Sequence, residues 1–120
     1  MHAADVAQSV NVLLRGAAKS DFCAIDLLIC FFAAACHDVA HPGVTNAFRN
    51  AIRDEGSITY NDRSVNENMH CAVTYRTLQR PGCNWLENLA AEQESVIRKS
   101  VVDIVLGTDM AHHFDNLKKF

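Results

Sequence analysis

The chain has 120 residues, of which 49% are hydrophobic and 21% charged, and its formal net charge is −3 at pH 7. These values are ordinary for one globular domain. They include no basic stripe of the kind that binds nucleic acid and no basic cluster that would bind a membrane surface. We therefore expect no nucleic-acid partner.

The number and positions of the cysteines indicate the redox state of the cellular compartment. The five cysteines form no C-x-x-C pair, and three of them lie in the most apolar stretch of the chain. Free cysteine in such a stretch behaves as a small buried hydrophobe, so we expect a reducing, cytoplasmic compartment without disulfides. The first residues do not resemble a signal peptide. The longest uncharged apolar run has ten residues, whereas a membrane span needs about 20.

Apolar residues recur at helical spacing in five segments, which predicts helices over 1–14, 21–38, 46–52, 64–78 and 92–108. Residues 15–20 are predicted to form a loop, 54–56 to close the third helix, and Pro81-Gly82 to form a turn. Ser20 or Asp21 is expected to cap the second helix, and Thr45 or Asn46 the third. Ser64 opens the fourth helix with the sequence S-V-N-E, which fits a capping box.

The second predicted helix is apolar on nearly all sides, as expected of a central helix. The last is amphipathic, and its predicted buried side consists of Val96, Ile97, Val101, Ile104 and Val105. Gly107 is expected to bend this helix before Met110. Since no stretch alternates at period two for long, the predicted fold class is all-α, with several helices.

Polar groups gather where the second helix ends, in the sequence C-H-D-V-A-H-P-G-V-T-N at 36–46. Such groups lose roughly 2–7 kcal/mol each if they are buried without partners. Adjacent side chains on a helix point about 100° apart, so His37 and Asp38 suit two metal ions, bridged by the carboxylate, better than one ion. Further candidates for the same site are His2, His41, Asn46, Glu67 and His70.

Each candidate also has a plain structural explanation. The pair His37-Asp38 could merely cap a helix, and the capping box alone would account for Glu67. His70 lies on the same helical face as Glu67, which is suggestive but common. His112-His113 are typical of an exposed helix end. The number of candidates together favours a metal site.

Four segments resemble one family. The sequence at 37–46 matches the pattern H-D-x-x-H-P-G-x-x-N, and three others are H-A-A-D-V-A-Q-S at 2–9, Y-N-D-R-S-V-N-E-N at 60–68 and V-L-G-T-D-M at 105–110. In this order and spacing they resemble the catalytic domain of class I cyclic nucleotide phosphodiesterases. The resemblance extends over the whole chain. The H-P-G-x-x-N continuation makes another type of H-D phosphohydrolase improbable.

The resemblance implies two divalent metal ions. His2, His37 and Asp38 would bind zinc, and Asp38 would bridge to a second ion, magnesium or manganese. Asp38, His41 and Glu67 would be the catalytic residues, with Thr108 among the groups that hold water at the second ion. The remaining implied positions are Asn46 and Asn68, which belong to the motifs, and Met110, which lines the pocket.

The implied reaction is metal-dependent hydrolysis of cyclic AMP or cyclic GMP to the 5′-monophosphate, in signal transduction. The family's proton-donating histidine, fourth zinc ligand and purine-binding glutamine have no counterpart in the chain. Ala40 and Met69 also depart from the family, which usually has an acidic residue and a histidine there. We therefore expect residues 1–120 to be part of a catalytic domain truncated at both ends, and a homodimer for the whole protein. The alternative is a catalytically inactive remnant that binds or regulates a partner.

Overall fold

The computed structural model describes residues 1–16 and 22–112, which fold into six α-helices and a 3₁₀ turn. The helices are α1 His2–Gly16, α2 Ala24–Cys36, α3 Asn46–Ile52, α4 Glu55–Thr59, α5 Val65–Leu78 and α6 Ala91–Leu106, and the 3₁₀ turn is Met110–His112. These ranges contain no strand, which agrees with the predicted all-α class. Within them, no helix combines the length and apolarity that crossing a bilayer would require.

Helix α2 is central, as predicted, because it packs against α1, α5 and α6. The buried core consists of Ile29, Ala33, Cys36, Leu86, Ile97, Val101 and Val105. Full burial of one such aliphatic side chain is worth about 1.5–3 kcal/mol. Helix α1 differs from the rest, since it contacts only α2 among the described helices and none of its residues is fully buried.

The buried side of α6 is narrower than predicted. Ile97, Val101 and Val105 are buried, whereas Val96 is 55% exposed and Ile104 is 42% exposed. The three buried residues are four apart and form one stripe against α2, whereas Val96 lies about 140° and Ile104 about 60° around the helix from the middle of that stripe. Gly107 ends this helix and does not bend it, since its backbone N–H caps the last turn.

The bounds of α1 and α2 also differ from the prediction. Helix α1 continues two residues further, to Gly16. The residue that precedes α2 is Cys23, whose backbone N–H donates to the Asp26 carboxylate at 2.8 Å. The predicted caps, Ser20 and Asp21, lie outside the described residues. At its other end α2 stops at Cys36, and a turn over 37–40 follows.

Residues 54–56, which were predicted to close the third helix, begin a further short helix, α4. Arg53 ends α3 with a left-handed backbone, φ 51°. Asp54 then caps α4, because its carboxylate accepts the Ser57 backbone N–H at 2.7 Å. The predicted Thr45 cap of α3 and the Pro81-Gly82 turn are both present.

All five cysteines lie in the described ranges, and none forms a disulfide. Cys23 and Cys83 are exposed, whereas Cys36 is buried and Cys71 half-buried. Burial raises the pKa of the Cys36 thiol and raises that of Cys71 to about 11.

Candidate metal centre

His2, His37 and Asp38 converge although 35 residues separate the first two. The Nε2 atoms of His2 and His37 are 3.2 Å apart, and His2 Nε2 lies 3.7 Å from Asp38 Oδ2. One ligand atom of each residue lies within 4.8 Å of the others. The predicted convergence is therefore present, and the donor set of two imidazole nitrogens and a carboxylate oxygen is one that zinc accepts.

His37 and Asp38 lie in the turn that follows α2. On a continuous helix, His37 and Asp38 would point about 100° apart. His37 still has helical backbone angles, φ −57° and ψ −22°, and yet one ligand atom of each residue lies within 4.8 Å of the other and of His2.

Hydrogen bonding leaves His37 ready to bind through Nε2. Its Nδ1 lies 2.9 Å from the carbonyl oxygen of Ala34. A carbonyl only accepts, so Nδ1 carries the proton and Nε2 keeps its lone pair. Ligating histidines commonly donate their second N–H in this way, which fixes the orientation of the ring.

A second group consists of Asp38, His41 and His70, whose ligand atoms again lie within 4.8 Å of one another. His70 is 1% exposed, its Nδ1–H donates to the Val39 carbonyl at 2.7 Å, and its Nε2 lies 3.5 Å from Asp38 Oδ1. Burial lowers the pKa of His70, which favours a neutral ring with a lone pair on Nε2. The two oxygens of Asp38 therefore face two different nitrogens.

His41 has the opposite tautomer. The backbone N–H of Gly43 donates to His41 Nδ1 at 2.9 Å, so a neutral ring carries its proton on Nε2. The His41 and His70 rings are stacked, with centroids 5.7 Å apart. In this arrangement His41 is suited to donate a hydrogen bond rather than to coordinate a metal ion.

His2, His37 and Asp38 line a cavity of about 500 Å³, and His41 and His70 are not among its lining residues. Its polar wall consists of His2, His37, Asp38, Glu67 and Thr108. Its apolar wall consists of Val6, Val10, Cys30, Ala33, Ala34 and Ile104. Glu67 thus faces the same space as Asp38.

The predicted capping box that would explain Glu67 does not form. Ser64 has φ 42° and makes no side-chain cap bond, and its hydroxyl donates instead to Asp109 Oδ2 at 2.7 Å. Glu67 Oε2 accepts a hydrogen bond from Asn46 Nδ2 at 2.8 Å. Asn46 therefore holds Glu67 at the cavity.

Other predicted residues lie apart from the site. Asn68 bonds through its side chain to the Arg63 and Ser64 carbonyls at the start of α5. Met110 is 71% exposed and is not among the residues that line this cavity, so its place in a pocket stays a prediction. His113 lies outside the described residues.

His70 was a candidate for the metal site from the sequence, but its contact with Asp38 was not predicted. Its signal in the sequence was the spacing of three from Glu67, which puts both side chains on one side of α5. That spacing could not reveal the contact with Asp38, because the contact joins α5 to the turn after α2.

Sequence comparison gives one family. The profile of the 3′5′-cyclic nucleotide phosphodiesterase family matches residues 1–120. Over 118 residues the chain is 46% identical to isoform F of the 3′,5′-cyclic-AMP phosphodiesterase of Drosophila melanogaster, a match that covers 98% of this chain and 18% of that protein. The match to isoforms N/G has the same identity and covers 98% of this chain and 12% of theirs.

Structure comparison agrees with this result. The phosphodiesterase domain of the Salpingoeca rosetta rhodopsin phosphodiesterase superposes with a TM-score of 0.93 at 37% sequence identity, covering 98% of this chain and 36% of that one. A second structure, the phosphodiesterase domain of a RhoPDE fusion protein from the same choanoflagellate, gives a TM-score of 0.91 at 37% identity and covers 98% and 37% of the two chains. The chain spans well under half of each relative, but within that span sequence and fold agree from end to end. It belongs to the 3′,5′-cyclic nucleotide phosphodiesterase family.

Proposed function

We propose that residues 1–120 are part of a catalytic domain that hydrolyses a 3′,5′-cyclic nucleotide, and that they supply its metal-binding wall. The observation that carries this proposal is the position of Asp38. Its Oδ2 faces His2 at 3.7 Å and its Oδ1 faces His70 at 3.5 Å. A carboxylate with each oxygen turned to a different group of ligands is suited to bridge two ions about 3.5–4 Å apart.

In this proposal zinc binds to His2, His37 and Asp38, and magnesium or manganese binds on the other side of Asp38. Two imidazole nitrogens and a carboxylate suit zinc. On the other side of Asp38 the neighbouring side chains are His41 and His70, so water would supply most of the oxygen donors that magnesium or manganese prefers. When bound, such ions stabilise charge on a phosphoryl group and make water acidic enough to attack it near neutral pH.

The protein's own residues then orient the reacting groups. The Nε2–H of His41 can donate to a phosphate oxygen or to water, since Gly43 occupies Nδ1. The Glu67 carboxylate can accept from a water molecule, and Asn46 holds it in place. Thr108 lines the same cavity. Groups of this kind act by positioning, which lowers the entropic part of the barrier.

The names of the Drosophila relatives favour cyclic AMP as the substrate. The resemblance provides no proton donor to the leaving oxygen within residues 1–120. General acid catalysis is typically worth about 10²–10⁴-fold, so the chain by itself is expected to show no family-like turnover. We also propose a cytoplasmic location, which the five unpaired cysteines support.

A chimera tests the proposal. In the chimera, this chain would replace the segment of the Drosophila enzyme that it matches over 118 residues. Hydrolysis of cyclic AMP and of cyclic GMP by the chimera would then be measured. The chimera is expected to hydrolyse cyclic AMP, Asp38→Asn within it to abolish hydrolysis, and Arg76→Met, an exposed control, to leave it intact. A folded chimera that binds metal without hydrolysis would favour the regulatory alternative.

A further inference from the structure

Arg49 is an arginine buried in a small domain, with 7% of its surface exposed. Its Nε donates to Asp54 Oδ2 at 2.6 Å, and its Nη1 donates to Asn66 Oδ1 at 2.9 Å. Nη1 also lies 3.6 Å from the Met69 sulfur. Burying a guanidinium is costly unless its hydrogen bonds are made, and the structure provides them from three directions.

The space for this guanidinium exists because residue 56 is glycine. A Cβ atom built on Gly56 would overlap Arg49 Nη2, and it would lie 3.0 Å from Cζ and 3.2 Å from Val65 Cγ1. Gly56 has no positive φ, so its backbone conformation does not require glycine. The requirement is steric, and it comes from Arg49.

From Arg49 a directed chain of hydrogen bonds leads to the candidate metal centre. The buried Asn66 accepts from Arg49, and its Nδ2 donates to the Val44 carbonyl at 2.9 Å. Its backbone N–H donates to Asn46 Oδ1 at 2.8 Å, and Asn46 Nδ2 donates to Glu67 Oε2 at 2.8 Å.

Only one orientation of each amide satisfies this chain. A guanidinium only donates and a carbonyl only accepts, so turning the Asn66 amide would break two bonds at once. The same holds for Asn46, which lies between a backbone N–H and a carboxylate. A network in which every orientation is fixed transmits position from one end to the other.

We propose that Arg49 is a positioning residue for the candidate metal centre, which acts through Asn66 and Asn46 to fix the Glu67 carboxylate. This deepens the proposed function and rests on it, since it assigns Glu67 a task at the metal. Arg49 touches neither the cavity nor the metal-ligand groups. The Asn66 bond to Val44 also fixes the loop that follows His41.

The test compares Arg49→Met with Arg76→Met. Arg76 is exposed and borders the same surface pocket as Arg49, but it makes no bond to Asn66 in the described structure. The first readout is the NMR signal of the Asn46 side-chain amide in the metal-free protein. Arg49→Met should shift this signal and speed its exchange with water, and Arg76→Met should leave it unchanged. An unchanged Asn46 signal in Arg49→Met would overturn the inference.

The second readout is manganese affinity, measured with Mn²⁺ as the probe. Loss of a group that orients ligands or bound water typically costs about 10–100-fold in metal affinity, so Glu67→Gln is expected to lose about tenfold and Arg49→Met somewhat less. In the Glu67→Gln background, Arg49→Met should cause no further loss, because coupled residues are not additive. Equal losses in both backgrounds would mean that Arg49 acts by another route.

The two readouts separate this inference from the proposed function. If Glu67→Gln binds manganese with the affinity of the wild type, the proposed role of Glu67 at the metal is refuted. The Asn46 signal then still decides whether Arg49 positions the Asn46 side chain. Arg49→Lys serves as a second variant, since its ammonium keeps the charge but lacks the fork that reaches both Asp54 and Asn66. Should neither Arg49 variant fold, Arg49 is a residue of the fold and the positioning role is refuted.

Discussion

The tight fit between Gly56 and Arg49 makes Gly56→Ala a sharp test of the structure. Gly56 lies in the short helix α4, and alanine is about 1 kcal/mol better than glycine inside a helix. Helix propensity alone therefore predicts stabilisation. Packing predicts the opposite, because the new methyl group would occupy the position of the guanidinium.

The magnitude follows from the bonds at stake. A displaced guanidinium loses its bonds to Asp54 and Asn66, and hydrogen bonds to charged groups are worth about 1.5–3 kcal/mol each. Losing both costs about 3–6 kcal/mol, and the helix propensity of alanine returns about 1 kcal/mol. We expect Gly56→Ala to lower the free energy of unfolding by about 2–5 kcal/mol, a large part of the 5–15 kcal/mol typical of domains.

Urea unfolding followed by circular dichroism measures this change. Gly16→Ala is the matched control, because a Cβ atom there meets nothing within 4 Å, and it should be neutral or slightly stabilising. The double variant Gly56→Ala/Arg49→Met should be more stable than the sum of the two single losses predicts, since the methyl group no longer displaces a guanidinium. If the Gly56→Ala variant is as stable as the wild type, the reasoning is refuted.

Three further predictions concern single residues. The Ser57 N–H and the Arg49 guanidinium hold the pKa of Asp54 below its ordinary value, so the stability that this carboxylate adds is complete above about pH 4 and is lost as the pH falls through the depressed pKa. Asp54→Asn should therefore reduce the fall in the free energy of unfolding at acid pH, and an unchanged fall would contradict this. Cys36 and Cys71, whose thiol pKa values burial raises, should react with iodoacetamide at pH 8 far more slowly than the exposed Cys23 and Cys83, as mass spectrometry would measure. Asp38→Ala should lower bound zinc and bound manganese together, as elemental analysis would measure, whereas retention of either metal at the wild-type level would argue against a bridging carboxylate.

Much of the site could be predicted because its residues are local in the sequence. His37 and Asp38 follow the most apolar helix, where unpartnered polar groups are costly. The approach of His2 depends on how α1 packs on α2, which no local pattern specifies. The same limit applies to His70, whose partner Asp38 belongs to another element.

The wrong prediction of a cap at Ser64 has a clear physical cause. The S-V-N-E pattern predicted a cap at Ser64, but capping needs an extended backbone at that residue, and Ser64 follows a turn in which Asn61 and Asp62 also have positive φ. The turn leaves Ser64 left-handed and frees Glu67 for Asn46. The burial of Arg49 was not predicted, because its partners Asp54 and Asn66 belong to other elements whose packing no local pattern specifies.

The packing of α1 on α2 affects how tightly residues 1–120 can hold a metal. Helix α1 carries His2, yet it touches only α2 among the described helices and buries no residue fully. A helix that packs on a single neighbour can open locally without global unfolding. If α1 is docked for only a fraction of the time, the apparent dissociation constant of a metal that needs His2 rises by the inverse of that fraction. The packing of α1 on α2 then sets metal affinity as surely as the ligands do, and a substitution far from any ligand could tune the metal concentration at which the site fills.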